Sequence, residues 1–375
     1  MKKKQIETTG LLAMCMLVMS ACSNTEEVAG ENSDKLVELQ IAPSIIQARA
    51  VSATGAITGT SFSSGASIAV YANSTTTNAA SNNFAIYTVD NSSQWSNTAN
   101  DANKIYLSSE NATIYANYPS GVTATHNGAV TSTSTIAVST FAGASSGDAS
   151  ASTITAGSSS TTSINACSGE IDYMYATPVS SINNKSTSVA IAMNHAMSMV
   201  SFRVYKADTY NNNGYLTQIT LGNVDTGTAL AKPGASGGTA TMQLGNGEIT
   251  LTSSEAATYT RVIKEGNAEH YTLKAAPTDA TETSPAFSIL VYPINAAIAA
   301  DNIKATFRID GQDYAVNLPA MNATNNYSWT AGKNHIYKVT LGGKELTITS
   351  VSITEWDSNG TPINGGDLTP VVPAP

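Results

Sequence analysis

Alternation of apolar and polar residues dominates this chain of 375 residues. In KLVELQIAP (35–43), Val37, Leu39 and Ile41 alternate with polar neighbours, the period-2 signature of a half-buried strand. Further strand segments are ASIAVYAN (66–73), FAIYTVD (84–90), ATIYANYP (112–119), TSVAIAMNHAMSMVSFRVYK (187–206), LTQITLGNV (216–224) and AFSILVYPI (286–294). Asp310-Gly311 between IKATFRI and QDYAVNL predicts a hairpin, and Gly342-Gly343 does the same between NHIYKVTL and KELTITSVSITEW. In that last segment Leu346 and Ile348 alternate, then Val351 and Ile353 alternate one residue out of phase, which predicts a β-bulge near Thr349-Ser350. No stretch holds a helical period; SSEAATYTRVIKE (253–265) comes nearest. Short strands separated by turn residues predict an all-β protein built of sandwiches or barrels.

Two regions break the pattern. Residues 131–170 are rich in Ser, Thr, Ala and Gly and read as long loops with one or two edge strands. The tail NGGDLTPVVPAP (364–375) carries Pro370, Pro373 and Pro375, which cannot donate ladder hydrogen bonds, and reads as an extended terminus outside any sheet. The chain is longer than a typical single core, so two domains are expected, with a boundary in SSINNKS (180–186).

Charged residues make up 12% of the chain, about half the roughly 25% of an ordinary globular protein. Solubility therefore rests on uncharged polar groups. The 16 Tyr, 6 Phe and 3 Trp still supply real cores. A net charge of −9 excludes nucleic acid as a partner and disfavours an anionic membrane surface.

At the N-terminus, Lys2, Lys3 and Lys4 precede an apolar run from Leu11 to Ala21 that is too short to span a bilayer and fits a signal-peptide core. It ends in VMSAC (18–22), which resembles a bacterial lipobox with Cys22 as the lipidated cysteine. The alternative is a signal peptide cleaved elsewhere. SNTEEVAGENSD (23–34) follows as an acidic tether; Glu26 and Glu27 resemble a surface-sorting signal of Gram-negative lipoproteins or are solvated linker charges. With Cys15 in the signal peptide and Cys22 lipidated, Cys167 has no partner for a disulfide and reads as a small buried apolar residue.

Little in the chain points to catalysis. GASSG (143–147) matches G-x-S-x-G around Ser145, but that motif needs a strand before and a helix after, and here Gly and Ser recur by composition. His126, His195, His270 and His335 lie at least 65 residues apart, none with a partner at metal-ligand spacing, so neither metal nor other cofactor is expected. His195 reads as a packed, hydrogen-bonded core residue. The Asp residues of NVDTG and IDGQD sit at turns, where Asp is favoured structurally. Tyr115, Tyr118, Tyr173 and Tyr175 are either sugar platforms or, more commonly on strands, core.

The order QARAVSATGAITGTSFSSGASIAVYAN, EIDYMYATP, VAIAMNHAMSMVSFRVYK, WTAGKNHIYKVTLGGKELTITSVSITEWDSNG resembles the fimbrillin family, lipoprotein precursors of type V pilus subunits. One position departs: Ala66 stands after Gly65 where the pattern has Asp. The resemblance implies two tandem Greek-key, transthyretin-like β-sandwich domains. It divides the chain into a signal peptide (1–21), a tether with a removable strand (22–49), an N-terminal sandwich (50–184) and a C-terminal sandwich with the Pro-rich tail (185–375). It further implies that a trypsin-like surface protease cuts between Arg49 and Ala50, removing the lipid on Cys22 together with the strand bearing Val37, Leu39 and Ile41. A strand from another subunit then fills the vacated groove, giving a homo- or hetero-polymer. Leu346, Ile348, Val351 and Ile353 mark the candidate donor strand. If that strand is integral to its own domain, the subunit is a tip or accessory pilin.

Arg49, one of four arginines, follows the only well-patterned strand of the N-terminal arm, whereas Lys35 precedes it. A cut at Lys35 would free the lipid but leave the groove filled. The alternative is that Arg49 is a solvated loop charge. The expected location is the outer membrane and then a surface fimbrium, with host or bacterial surface ligands among the partners. The competing functions are an anchored, glycan-binding lipoprotein and, nearly excluded, a hydrolase using Ser145.

Overall fold

A computed structural model of the chain describes residues 35–45, 51–52, 55–56, 62, 64–74, 83–97, 104–125, 129–140, 152–156, 164–167, 170–278, 283–296, 298, 302–318, 328–343 and 345–355. Every regular element among them is a β-strand. The segment nearest to a helical pattern forms the strands Ser254–Ala256 and Thr258–Glu265. Tyr259, Arg261 and Ile263 alternate inward there, and burial of every second side chain decides for strand.

The N-terminal half is built on one eight-stranded sheet. Its order is Gln40–Ile45, Ser188–His195, Met174–Ala176, Ala112–Tyr118, Ser67–Ser74, Phe84–Val89, Trp95–Ser96, with Val179–Ile182 also pairing Ala112–Tyr118. The first and last strands of that order come into contact, so the sheet curls around one core. Leu39, Ile41, Ile45, Ile68, Val70, Tyr87, Ile114, Val189, Ile191 and Met193 fill it. A short ribbon of Val37–Glu38 and Tyr106–Leu107 lies beside it, adding Leu107 to the same core. Despite Ala66, the turn entering Ser67–Ser74 is tight, with Gly65 at φ +83 and its N–H donating to the Val89 carbonyl.

The C-terminal half is a sandwich of two six-stranded sheets. One runs Ser152–Ala156, Thr258–Glu265, Tyr215–Asn223, Ile303–Ile309, Gln312–Asn317, with Tyr271–Thr272 also pairing Tyr215–Asn223; the other runs Ile164–Ala166, Ala286–Val291, Ser198–Lys206, Lys333–Leu341, Leu346–Glu355, with Lys274–Ala275 also pairing Ser198–Lys206. Phe202, Phe287, Phe307, Trp329 and Tyr337 meet between them, Phe202 and Phe307 edge to face at 5.3 Å. Asp310-Gly311 makes the expected hairpin. Ile309 pairs with Gln312, and both turn residues have positive φ (49° and 78°), the combination that matches strand twist in a two-residue loop. The predicted bulge is also present: Lys338 pairs with Ser350 and Val339 with Ile348, leaving Thr349 as the extra residue.

Two features of the chain path differ from the sequence reading. The run 187–206 is two strands in different sheets, and the chain passes from one to the other at Ala196–Met197. Val189, Ile191 and Met193 are needed to fill the first core, which holds Ser188–His195 there. The low-complexity region 131–170 contributes three short strands, Thr135–Ala137, Ser152–Ala156 and Ile164–Ala166, each outermost in its sheet and each paired with a strand of the C-terminal half. Ile136 and Ile154 anchor the first two.

The halves are tied by a third core, in which Tyr71, Tyr115, Tyr173 and Met197 meet Ala240, Met242, Leu290 and Tyr292. The hairpin carrying Met242 turns at Gly247 (φ +69), where a Cβ would stand 2.1 Å from the Tyr175 ring. A second tie is ionic. Arg261 donates through Nε (2.9 Å) and Nη2 (2.6 Å) to Glu170 Oε1, with both side chains fully buried. Arg261→Ala leaves the Glu170 carboxylate buried opposite no cation, which costs about 3–5 kcal/mol. Urea unfolding should show a lowered midpoint of that order, with a smaller loss if Glu170→Gln is added.

Candidate functional site

The segment 35–45 is held almost entirely by groups distant in sequence. The Leu39 N–H donates to the Ile105 carbonyl (2.8 Å) and the Gln40 N–H to the Thr187 carbonyl (2.9 Å). From Gln40 to Ile45 the chain pairs parallel with Ser188–Met193, in the register Gln40 opposite Ser188 and Ile45 opposite Met193. This is the outer strand of the eight-stranded sheet, bonded within the sheet to one neighbour only. Pro43, opposite Ile191, fits there because an edge strand can spare one N–H.

Leu39 is wholly buried, and Ile41 and Ile45 are buried beside it in the first core. Each contributes roughly 1.5–3 kcal/mol of apolar burial. Val37 is only partly buried, because the chain changes partner at Leu39, from Tyr106–Leu107 to Ser188–His195. Ile45 continues the same inward face; the period-2 pattern extends to it, but Pro43 reads in sequence as a stop.

Polar contacts fix the position along the strand. The buried Tyr87 hydroxyl donates to the Leu39 carbonyl at 2.9 Å. Burial, and then the nearby Glu38 carboxylate, push this phenol well above its ordinary value, so it stays protonated and donating. Lys104 pairs with Glu38 at 3.2 Å, and Asn184 Nδ2 donates to the Lys35 carbonyl at 2.8 Å.

Cys22, Arg49 and Ala50 lie outside the described residues, as does Ser145. Two positions beyond Arg49, Val51–Ser52 pairs with Gly55–Ala56. Of the candidate donor strand, Leu346 and Ile348 are buried in the C-terminal sandwich core, and Val351 and Ile353 lie opposite Tyr337 and His335 along the backbone ladder. Leu346–Glu355 is thus the outer strand of its own sheet. The Leu39 and Leu346 strands belong to different sheets and are not brought together.

Among the other singled-out residues, His195 is buried with Nδ1 2.7 Å from Asp172 Oδ2, as expected for a packed histidine. Tyr115, Tyr118 and Tyr173 are core, and Tyr175 is half-buried beneath Gly247. Cys167 is buried and unbridged. Asp225 and Asp310 both occupy turns with positive φ. Among the described residues no group of three or more His, Cys, Asp or Glu is placed to hold a metal ion.

Solved structures share this fold. A candidate cell adhesion protein from Bacteroides uniformis superposes with a TM-score of 0.51 at 17% identity, over 86% of this chain and 99% of that one. A second, from Bacteroides ovatus, gives 0.52 at 15% identity over 87% and 99%. A fimbrial protein from Bacteroides vulgatus gives 0.42 at 12% identity over 86% and 99%. No curated protein sequence matches the chain. Residues 54–356, most of the sequence, match the fimbrillin-like family, and the chain belongs to it.

Proposed function

We propose that this protein is a structural subunit of a bacterial surface fimbria, made as a lipoprotein and armed for assembly by loss of its N-terminal strand. The observation that carries the reading is the Gln40–Ile45 strand. It is an edge strand, it pairs parallel with a strand far away in sequence, and it puts Leu39, Ile41 and Ile45 into a core just upstream of Arg49. Anchoring through Cys22 holds the precursor at the outer membrane. A trypsin-like protease then cuts between Arg49 and Ala50.

The cut alone leaves the strand seated, because its pairing and its buried side chains do not depend on the cleaved bond. What the cut changes is that residues 22–49 can dissociate. Departure exposes the unpaired edge of Ser188–Met193 and three vacant apolar sites, and a strand from another subunit restores both. The donor must present apolar side chains at alternate positions. Leu346 and Ile348 fit this description, and Val351 and Ile353 fit it in the opposite phase, beyond the Thr349 bulge. Within its own sheet Leu346–Glu355 is engaged along Lys333–Leu341. It donates only by leaving that partner, and a subunit that keeps it accepts a strand without giving one, as a tip or accessory pilin does. In either place the role is structural and adhesive rather than catalytic.

Arg49→Ala should give a folded, lipidated, full-length surface protein that does not polymerise. N-terminal mass spectrometry should find Ala50 first in the wild-type mature protein, together with SDS-resistant ladders. A variant that still assembles, or a wild type present only as the Cys22-lipidated form, removes the reading.

Seating of the strand gives an independent test. Tyr87→Phe strips the Leu39 carbonyl of its buried donor at a cost of about 1–3 kcal/mol. Hydrogen exchange of the Gln40–Ile45 amides in the uncut protein should then accelerate by roughly tenfold for each 1.4 kcal/mol lost.

A further inference from the structure

The C-terminal sandwich carries a polar depression formed by residues that the proposed strand exchange does not involve. It is lined by Asn211, Asn212, Asn213, Tyr215 and Asp310. These residues come from the loop after Ser198–Lys206, from the start of Tyr215–Asn223, and from the Asp310-Gly311 turn. Tyr215 is one of only three large hydrophobic side chains that stand exposed among the described residues. One face of its ring is backed by His270, at 3.9 Å between centroids and 35° between planes.

The lining is held in place before any ligand arrives. The Asp310 carboxylate accepts from the Gly214 N–H (2.8 Å), the Tyr215 N–H (3.0 Å) and the Tyr210 hydroxyl (2.8 Å), while the Asp310 N–H donates to the Tyr215 carbonyl (3.0 Å). Lys206 Nζ donates to the Asn213 carbonyl at 3.3 Å. The asparagine loop is therefore clamped at its far end, and the Tyr215 backbone is fixed on both its N–H and its carbonyl. Such order lowers the entropy lost on binding.

The chemistry of the lining selects among ligands. Asn211 and Asn213 offer side-chain amides with both donors and an acceptor, the Asn212 amide is turned to the Tyr210 hydroxyl, and a backed aromatic ring offers an apolar platform. Anionic ligands meet the Asp310 carboxylate: burial raises its pKa, but its three hydrogen bonds and the nearby Lys206 cation together hold it below the ordinary value, and Lys206 is itself turned to the Asn213 carbonyl. A bare cation meets a carboxylate already engaged by three donors. An apolar peptide meets a polar surface. A neutral sugar presents hydroxyls at its rim and C–H groups on its face, which matches amides flanking an aromatic ring. We propose that this depression is a saccharide-binding site, with Tyr215 as the stacking platform and Asn211 and Asn213 as the hydroxyl-recognising groups.

The inference stands apart from strand exchange, since a chain that binds no sugar can still polymerise and the reverse also holds. The test is titration of the purified full-length Arg49→Ala chain, with its parent as a control, against neutral trisaccharides of glucose, galactose, mannose and N-acetylglucosamine, read by saturation-transfer NMR and calorimetry. At least one should bind, Tyr215→Ala should weaken it roughly tenfold or more, and Tyr215→Phe should bind within about twofold of the parent. Absence of binding to every member of the panel overturns the proposal. So does a Tyr215→Ala chain that binds as its parent does, or a Tyr215→Phe chain that loses binding to the same degree as Tyr215→Ala.

Discussion

A sheet edge that covers an apolar core must be paired, because unpaired N–H and C=O groups beside an apolar surface invite association with another chain. Here that edge is Ser188–Met193, and residues 40–45 of the same chain close it. Most of the other strands in that sheet reach their partners through antiparallel neighbours. This one arrives from the N-terminus and lies parallel to a strand nearly 150 positions later, so no tight turn ties the two together. Its attachment is made of a ladder, three buried side chains and a few polar contacts, all of which another strand can reproduce.

The rest of the molecule is held together by contacts that do not involve that strand. The third core fixes the N-terminal sheet against the C-terminal sandwich through Tyr173, Met197, Met242 and Leu290. The Glu170–Arg261 and Asp172–His195 pairs are buried two residues apart on the chain, one reaching into the C-terminal sheet and the other gripping the strand that neighbours the groove. Buried polar pairs in such positions are costly to separate. They pin the segment 170–176 and, through it, the Ser188–His195 strand that it pairs with.

Legibility in sequence followed the range of the interactions. The Asp310-Gly311 hairpin and the Thr349 bulge are local, set by positive φ and by a slip in the period-2 phase, and both could be read directly. Leu39 and Ile41 were readable for the same reason. Ile45 was obscured because Pro43 looks like a terminator, which it is in a central strand but not at an edge. Nothing local marks the parallel pairing of Gln40–Ile45 with Ser188–Met193, nor an ion pair whose members stand 91 positions apart. The Ser/Thr-rich stretch hid its strands because single apolar anchors such as Ile136 and Ile154 leave too faint a pattern. Tyr215 points outward because Leu216, its neighbour on the strand, points into the core, and no local signal tells that its ring faces a depression.

Separation of the proposed acceptor edge from the clamped depression has a mechanical logic. Ser198–Lys206 starts at the junction with the N-terminal sheet and ends beside the asparagine loop, and nine residues of strand span about 30 Å. A contact that depends on backbone pairing tolerates almost any alternating side chains, so it suits permanent assembly between copies. A contact that depends on amide geometry around one ring is selective and weak, and it gains from repetition along a fibre. Had the two shared a surface, each strand inserted during assembly would have buried the ligand site. With the two separated by the length of a strand, the proposed assembly would multiply the proposed site instead of covering it.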